Sequence, residues 1–304
     1  MWFADDGHVA AAPGEWVALS AYGAALEGRF RAVGLRVAIG CNKTTLLAAD
    51  GHEAGPPPGD ATRWLRERAA KVQVLRCLGV PLAGAAGVTE ARTAVERVYI
   101  TAAETASSLA RLQHPQLVAT ATRMAGAWSR VAYLTGLMPE GGYGVDVSAL
   151  LPGCEAADLA AMRFAMGQHS EELRERQWVA VGMPLRIGGL GIQRCTAENE
   201  GFPAHIAEVV AAANRGGAHA VDVVRARHKT ERDRWYAALG HGLCATASPD
   251  ERARLVAQRA GNGLAMSWLA SCTTLRRPLR ACPAVASTAL ALAAGCLPHR
   301  AGGR

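Results

Sequence analysis

The stretch MWFADDGHVAA (Met1–Ala11) sets two adjacent carboxylates, Asp5 and Asp6, between a hydrophobic run and a Gly-His-Val-Ala continuation. Trp2-Phe3-Ala4 is strand-like, Asp5-Asp6-Gly7 is turn chemistry, and Val9-Ala10-Ala11 can return as a second strand. The stretch therefore reads as a tight β-hairpin with acids at its tip. Neighbouring carboxylates repel each other, which raises one pKa unless a cation neutralises the pair. Mg²⁺, a hard ion that prefers oxygen ligands, does so well; a solvated Asp-Asp-Gly turn is the plainer alternative for so short a motif.

Working outward, Trp16, Leu19, Leu26 and Phe30 recur at helical spacing, so a helix is expected over Glu15 to Val33, with Gly34 as its C-cap. Leu35, Val37 and Ile39 then alternate like a strand within GLRVAIGCNKTTLL (Gly34–Leu47). A loop rich in Gly and Pro, Gly51 to Gly59, leads to KVQVLRCLGVPLAG (Lys71–Gly84), where Val72, Val74 and Leu75 give a strand pattern before a turn at Gly79 and Pro81. Beyond residue 84 strand signals fade and alanine dominates. Helices are expected over Thr89 to Gln113, Gln116 to Leu137, Glu155 to Arg176, Ala197 to Arg215, Ala218 to Leu239 and Pro249 to Ser271. The fold class that follows is α+β, mainly α: a small mixed piece and then a helical body.

Taken in order, these segments resemble the reverse transcriptases of non-LTR retrotransposons. FADD (Phe3–Asp6) is similar to their aromatic-Ala-Asp-Asp palm hairpin, GLRVAIGCNKTTLL to the next palm motif, and VLRCLGVPLAG (Val74–Gly84) to the Leu-Gly element after it. LARLQHPQLVATATRMAGAWSRVAYLTGLMP (Leu109–Pro139) is similar to the helical segment beyond the palm. MPLRIGGLGIQRC (Met183–Cys195) resembles their Leu-Pro-x-x-x-Gly-Gly-Leu-Gly loop, and NGLAMSWLASCTT (Asn262–Thr274) a Trp-Leu segment nearer their C-terminal end.

The resemblance implies a partial polymerase palm of short β-hairpins plus helix over 1–84, a thumb-like helical segment over 85–150, and a C-terminal helical region with a basic tail over 151–304. It implies RNA-directed DNA polymerase chemistry, with Asp5 as metal ligand, Asp6 as second or supporting carboxylate, and Lys43 near the incoming triphosphate. The implied cofactor is Mg²⁺ in a two-metal site, and the partners are an RNA template, a DNA primer and dNTP, in the nucleus. The family's first palm aspartate and its fingers lie upstream of the hairpin. The 304-residue chain alone is therefore expected not to polymerise DNA, and is read as a truncated copy or partial gene product. A non-catalytic helical remnant that binds nucleic acid is the alternative reading.

Charge is consistent with either. The chain carries a net charge of +7 with a pI near 9.2, as suits a phosphate-rich partner. No acid follows Glu251, while arginines continue from Arg252 to Arg304. A second cluster, Arg63, Arg66, Arg68, Lys71 and Arg76, falls where the resemblance puts the primer–template. With only three lysines, the abundance of Arg, Ala and Gly is also what GC-rich coding produces.

Other features read as structural. The eight cysteines are scattered, so reduced thiols are expected; only Cys296-Leu-Pro-His299 has ligand-like spacing for zinc. Gly188-Gly189-Leu190-Gly191 lacks the Lys-Ser/Thr of a phosphate loop and reads as a turn. Trp128, Trp178, Trp235 and Trp268 sit among aliphatic residues and read as core anchors. The Ala-rich run Cys282 to Leu297 is too short and too weakly apolar to span a membrane, and reads as a core or surface helix.

Overall fold

The helix predicted after the hairpin is present as α1 (Trp16–Ala32) in the computed structural model. That model describes residues 2–3, 6–7, 9–12, 14–35, 44–48, 54–77, 79–138, 142–167, 175–185, 189–249, 252–253, 256 and 283–293. Helix α1 ends as its sequence dictates. Gly34 takes a φ of +77°, its N–H donates to the Arg31 carbonyl, and the Leu35 N–H reaches back to the Phe30 carbonyl at 2.9 Å. This is a Schellman closure, which needs the left-handed residue that glycine supplies most readily. Leu35 thus belongs to the helix cap and not to a strand; Val37 and Ile39 lie outside the described residues.

The chain divides into two compact units, residues 1–96 with 143–145, and residues 97–142 with 146–304. In the first, β1 (Trp2–Phe3) and β2 (Asp6–Gly7) form an antiparallel hairpin. The return strand starts at Asp6, not at Val9, because Phe3 pairs with Asp6 and only two residues join the strands. A parallel pair follows, β3 (Thr45–Leu47) with β4 (Ala70–Val72), linked through α2 (Arg63–Arg68). A second hairpin joins β5 (Val74–Cys77) to β6 (Val80–Ala83). Gly79 turns it, with φ +84°. Pro81, expected in the turn, lies on β6 opposite Arg76, and its carbonyl accepts the Tyr143 hydroxyl proton at 3.0 Å.

Helix α1 meets α2 through a gap in its own side chains. Gly23 is buried where a Cβ would stand 2.2 Å from the Trp64 ring, and the Trp64 indole N–H donates to Glu27 at 2.9 Å.

The boundary between the units falls within α3 (Val88–Ser108). The second unit continues with α4 (Pro115–Ala125), α5 (Ala127–Leu137), α6 (Val147–Ala165), α7 (Glu175–Gly182) and α8 (Cys195–Asn199). It closes with α9 (Phe202–Ala245) and α10 (Pro283–Ala293). Its core gathers Val118, Met162, Trp178, Val181, Leu190, Ile192 and Leu290. The single helix expected over 116–137 is two helices, because Gly126 adopts an extended backbone (φ −65°, ψ 175°) between them. The helix expected from Glu155 begins earlier. Asp146 caps it by accepting the Ala149 N–H, and Pro152, which reads as a breaker, sits inside it.

Helix α9 folds back on itself at Gly217, whose backbone leaves the helical region (φ 64°, ψ −154°). Glu208 before the bend meets His228 and Arg227 after it, so 202–216 and 218–245 form an antiparallel pair, close to the two helices expected there. Of the helix expected over 249–271, Pro249, Arg252, Ala253 and Val256 are helical and the rest lies outside the described residues. The described chain is mainly helical with a few short strands, α+β by class. Among the described residues no helix is long and apolar enough to cross a membrane.

Candidate functional site: the acidic hairpin and a basic face

The hairpin register leaves Ala4 and Asp5 between the paired strands, and Asp6 opposite Phe3. Asp5 and Lys43 lie outside the described residues, so only the backbone of Asp6 is fixed among the three candidate catalytic positions. Each of the three sheets in the first unit has two strands among the described residues, and β1 and β2 pair only with each other.

The five candidate nucleic-acid contacts are all exposed and all lie in the first unit. Arg63, Arg66 and Arg68 occupy α2, a short helix whose buried Leu65 turns the arginines outward. The helix leads directly into β4, where the Ala70 N–H donates to the Thr44 carbonyl at 2.9 Å. Lys71 and Arg76 are the exposed members of β4 and β5, whose neighbours turn inward. The sequence thus alternates cation-out and apolar-in through this stretch, and the backbone places the cations on three successive elements, α2, β4 and β5.

The charges are not equivalent. Arg63 donates to Glu67 at 2.6 Å, an exposed contact one helical turn away. That hydrogen bond raises the Arg63 pKa and draws the Glu67 carboxyl below its usual range, with Arg68 and Arg66 adding to the effect on Glu67. Arg66 also donates to the Gly59 carbonyl at 3.1 Å. Lys71 and Arg76 enter no ion pair among the described residues. With Arg68, which likewise enters no ion pair among the described residues, they are the cations most available to a phosphate.

The turn reading of Gly188–Gly191 has a geometric basis, with Gly188 itself outside the described residues. Leu190 and Ile192 both donate to the Val181 carbonyl at 3.2 Å, Gly191 donates to Met183 at 2.8 Å, and a Cβ on Gly189 would stand 1.9 Å from the Met183 carbonyl oxygen. The knot drives Leu190 and Ile192 into the core. Trp128 and Trp178 are buried as expected; Trp235 is 47% exposed, contrary to its reading as a core anchor, and Trp268 lies outside the described residues.

Cys77, Cys154, Cys195 and Cys244 are free thiols. Burial pushes Cys154 up to about 11, and Cys195 rises further for the same reason, which leaves both inert as nucleophiles. Cys296 and His299 lie outside the described residues, and among those described no cluster of His, Cys, Asp and Glu is arranged to hold a metal.

Sequence reasoning did not single out two acids of α6, the buried Asp158 and the half-buried Glu155. Asp158 accepts the Ala127 N–H with both carboxylate oxygens at 3.0 Å and so caps α5 from another helix. Glu155 receives the Trp178 indole, the Thr196 amide and hydroxyl, and Arg194. Burial opposes its ionisation, but these donors and the cation together hold its carboxyl below the ordinary value. No local pattern distinguishes these acids from surface ones, because every partner comes from a distant segment. Comparison with protein-family models, with curated proteins and with solved structures returns no match to this chain.

Proposed function

We propose that the chain carries the part of a non-LTR retrotransposon reverse transcriptase that runs from the palm hairpin through thumb-like helices to a basic C-terminal region. The observation that carries this reading is the ordered series FADD, GLRVAIGCNKTTLL, VLRCLGVPLAG and MPLRIGGLGIQRC along one sequence. Two features are consistent with it. Asp6, the second acid of the pair, opens β2 opposite Phe3 in an antiparallel hairpin. Five exposed cations, Arg63, Arg66, Arg68, Lys71 and Arg76, lie on α2, β4 and β5 of the unit that holds that hairpin.

In this reading Asp5 and Asp6 supply hard oxygen donors, the chemistry Mg²⁺ takes. Two such ions, when bound, activate a primer hydroxyl and offset charge on the departing pyrophosphate. Lys43 faces the triphosphate of the incoming dNTP, and the exposed cations hold the RNA template–DNA primer by its phosphates.

The test is a photocrosslink from the 3′-terminal nucleotide of a DNA primer annealed to an RNA template, with the 304-residue chain and Mg²⁺. The reading expects adducts within residues 1–12, reduced by Asp5→Ala, and adducts from the duplex over α2 to β5. Adducts confined to the region after Glu251, indifferent to Mg²⁺ and to Asp5→Ala, would instead support a remnant that binds nucleic acid without catalysis.

A further inference from the structure

We propose that the second unit carries a binding cleft for arginine side chains of a basic peptide, between α7, α8 and the end of α9. The cleft holds about 310 Å³. One wall is apolar, built from Val179, Trp235, Tyr236 and Leu239, and the rim carries Glu198 and Glu200.

Three observations fix the ligand chemistry. Trp235 leaves 47% of its surface exposed while Tyr236 beside it is buried, and the two rings meet edge to face at 4.8 Å. A large aromatic face left open in a cleft invites a planar or cationic group. The carboxylates supply the second element. Tyr236 donates its hydroxyl proton to Glu198 at 2.9 Å, which orients that carboxylate without neutralising it, and neither Glu198 nor Glu200 enters an ion pair among the described residues.

The one cation of the lining among the described residues, Arg194, is matched by the half-buried Glu155 at 3.1 Å and stacks toward Trp178 at 6.0 Å. The cleft therefore keeps a net negative rim in a chain of net charge +7. Guanidinium answers both demands: its plane lies on the indole while its N–H fork meets a carboxylate. A nucleic acid is disfavoured here, because its phosphates would face Glu198 and Glu200. This inference does not depend on the polymerase reading.

The experiment is calorimetric titration of the full chain with the blocked peptide Gly-Arg-Gly-Arg-Gly, and with the same peptide carrying citrulline, a neutral shape-match, at both arginines. Saturable binding of the arginine peptide is expected, weakened about ten-fold by Trp235→Ala and similarly by Glu200→Gln, with the citrulline peptide weaker by at least that factor. Glu200 is exposed and Trp235 half exposed, so both variants keep the fold. Equal binding of the two peptides, or an affinity unmoved by both variants, would overturn the proposal. So would a Trp235→Ala variant that weakens binding of oligouridylate and not of the arginine peptide.

Discussion

Asp158 shows what one buried carboxyl can impose on a helical core. Burial pushes it up to about 7, against the hydrogen bonds from Ala127 and Trp128 that favour the ionised form. The folded state therefore holds a proton that the unfolded chain has already released, between about pH 4 and pH 7. For an acid raised in this way the stabilisation is complete below the unfolded value and is lost as pH rises through the folded one. We expect urea-unfolding stability of the wild-type chain to fall by roughly 2 to 4 kcal/mol across that window relative to Asp158→Asn, which keeps an acceptor and has no proton to lose. Asp158→Ala leaves the α5 N-terminus uncapped and should lower stability at pH 5 by about 1 to 3 kcal/mol. A flat difference between wild type and Asp158→Asn from pH 4 to 8 would contradict the assignment.

Among the elements, glycines sort by what surrounds them. At Gly126 a Cβ would stand 2.3 Å from the Thr122 carbonyl oxygen and 2.7 Å from Asp158, so Gly126→Ala should destabilise by about 1 to 3 kcal/mol. At Gly153, exposed within α6, nothing lies within 4 Å, and Gly153→Ala should stabilise by roughly 0.5 to 1 kcal/mol. Thermal unfolding of the two variants, side by side, checks both signs. Leu290 in α10 is fully buried in the core with Ala286, and Leu290→Ala should cost about 2 to 4 kcal/mol.

These elements also show what the sequence discloses. Periodicity marked α1 and its Gly34 cap, because the helical spacing of Trp16, Leu19, Leu26 and Phe30 and a left-handed glycine are local signals. The two helices of α9 were legible for the same reason, a break at Gly217 between two alanine-rich runs. The break at Gly126 and the start of α6 were not. Gly126 is held extended by a carboxylate from another helix, and Pro152 reads as a breaker although the Asp146 cap has already set the helix going. Trp235, expected as a core anchor, is half exposed instead, because aliphatic neighbours in sequence say nothing about which face a helix buries.

At the scale of the whole molecule, charge distribution governs what can be bound. Lys71 and Arg76, exposed and outside any ion pair among the described residues, should each contribute about one unit to the slope of log affinity against log salt for an RNA–DNA duplex. Lys71→Glu and Arg76→Glu should flatten that slope by about one unit or more each, while Arg63→Glu changes it less, because Glu67 already draws on the Arg63 charge. Equal slopes for all three variants would place the nucleic acid elsewhere. The candidate hairpin was legible as a hairpin, and the basic residues as a cluster, since both are contiguous in sequence.

The measurement that tests the central claim most directly is RNA-templated incorporation of dNTP by the endogenous polypeptide, captured from cells with an antibody against Met183 to Cys195. For a captured polypeptide that carries residues ahead of Met1, the account predicts Mg²⁺-dependent, template-directed extension of a DNA primer that Asp5→Ala at the native locus abolishes. Capture of such a longer polypeptide that binds the primer–template in a salt-sensitive way, yet never extends it, with or without Asp5, would contradict the account.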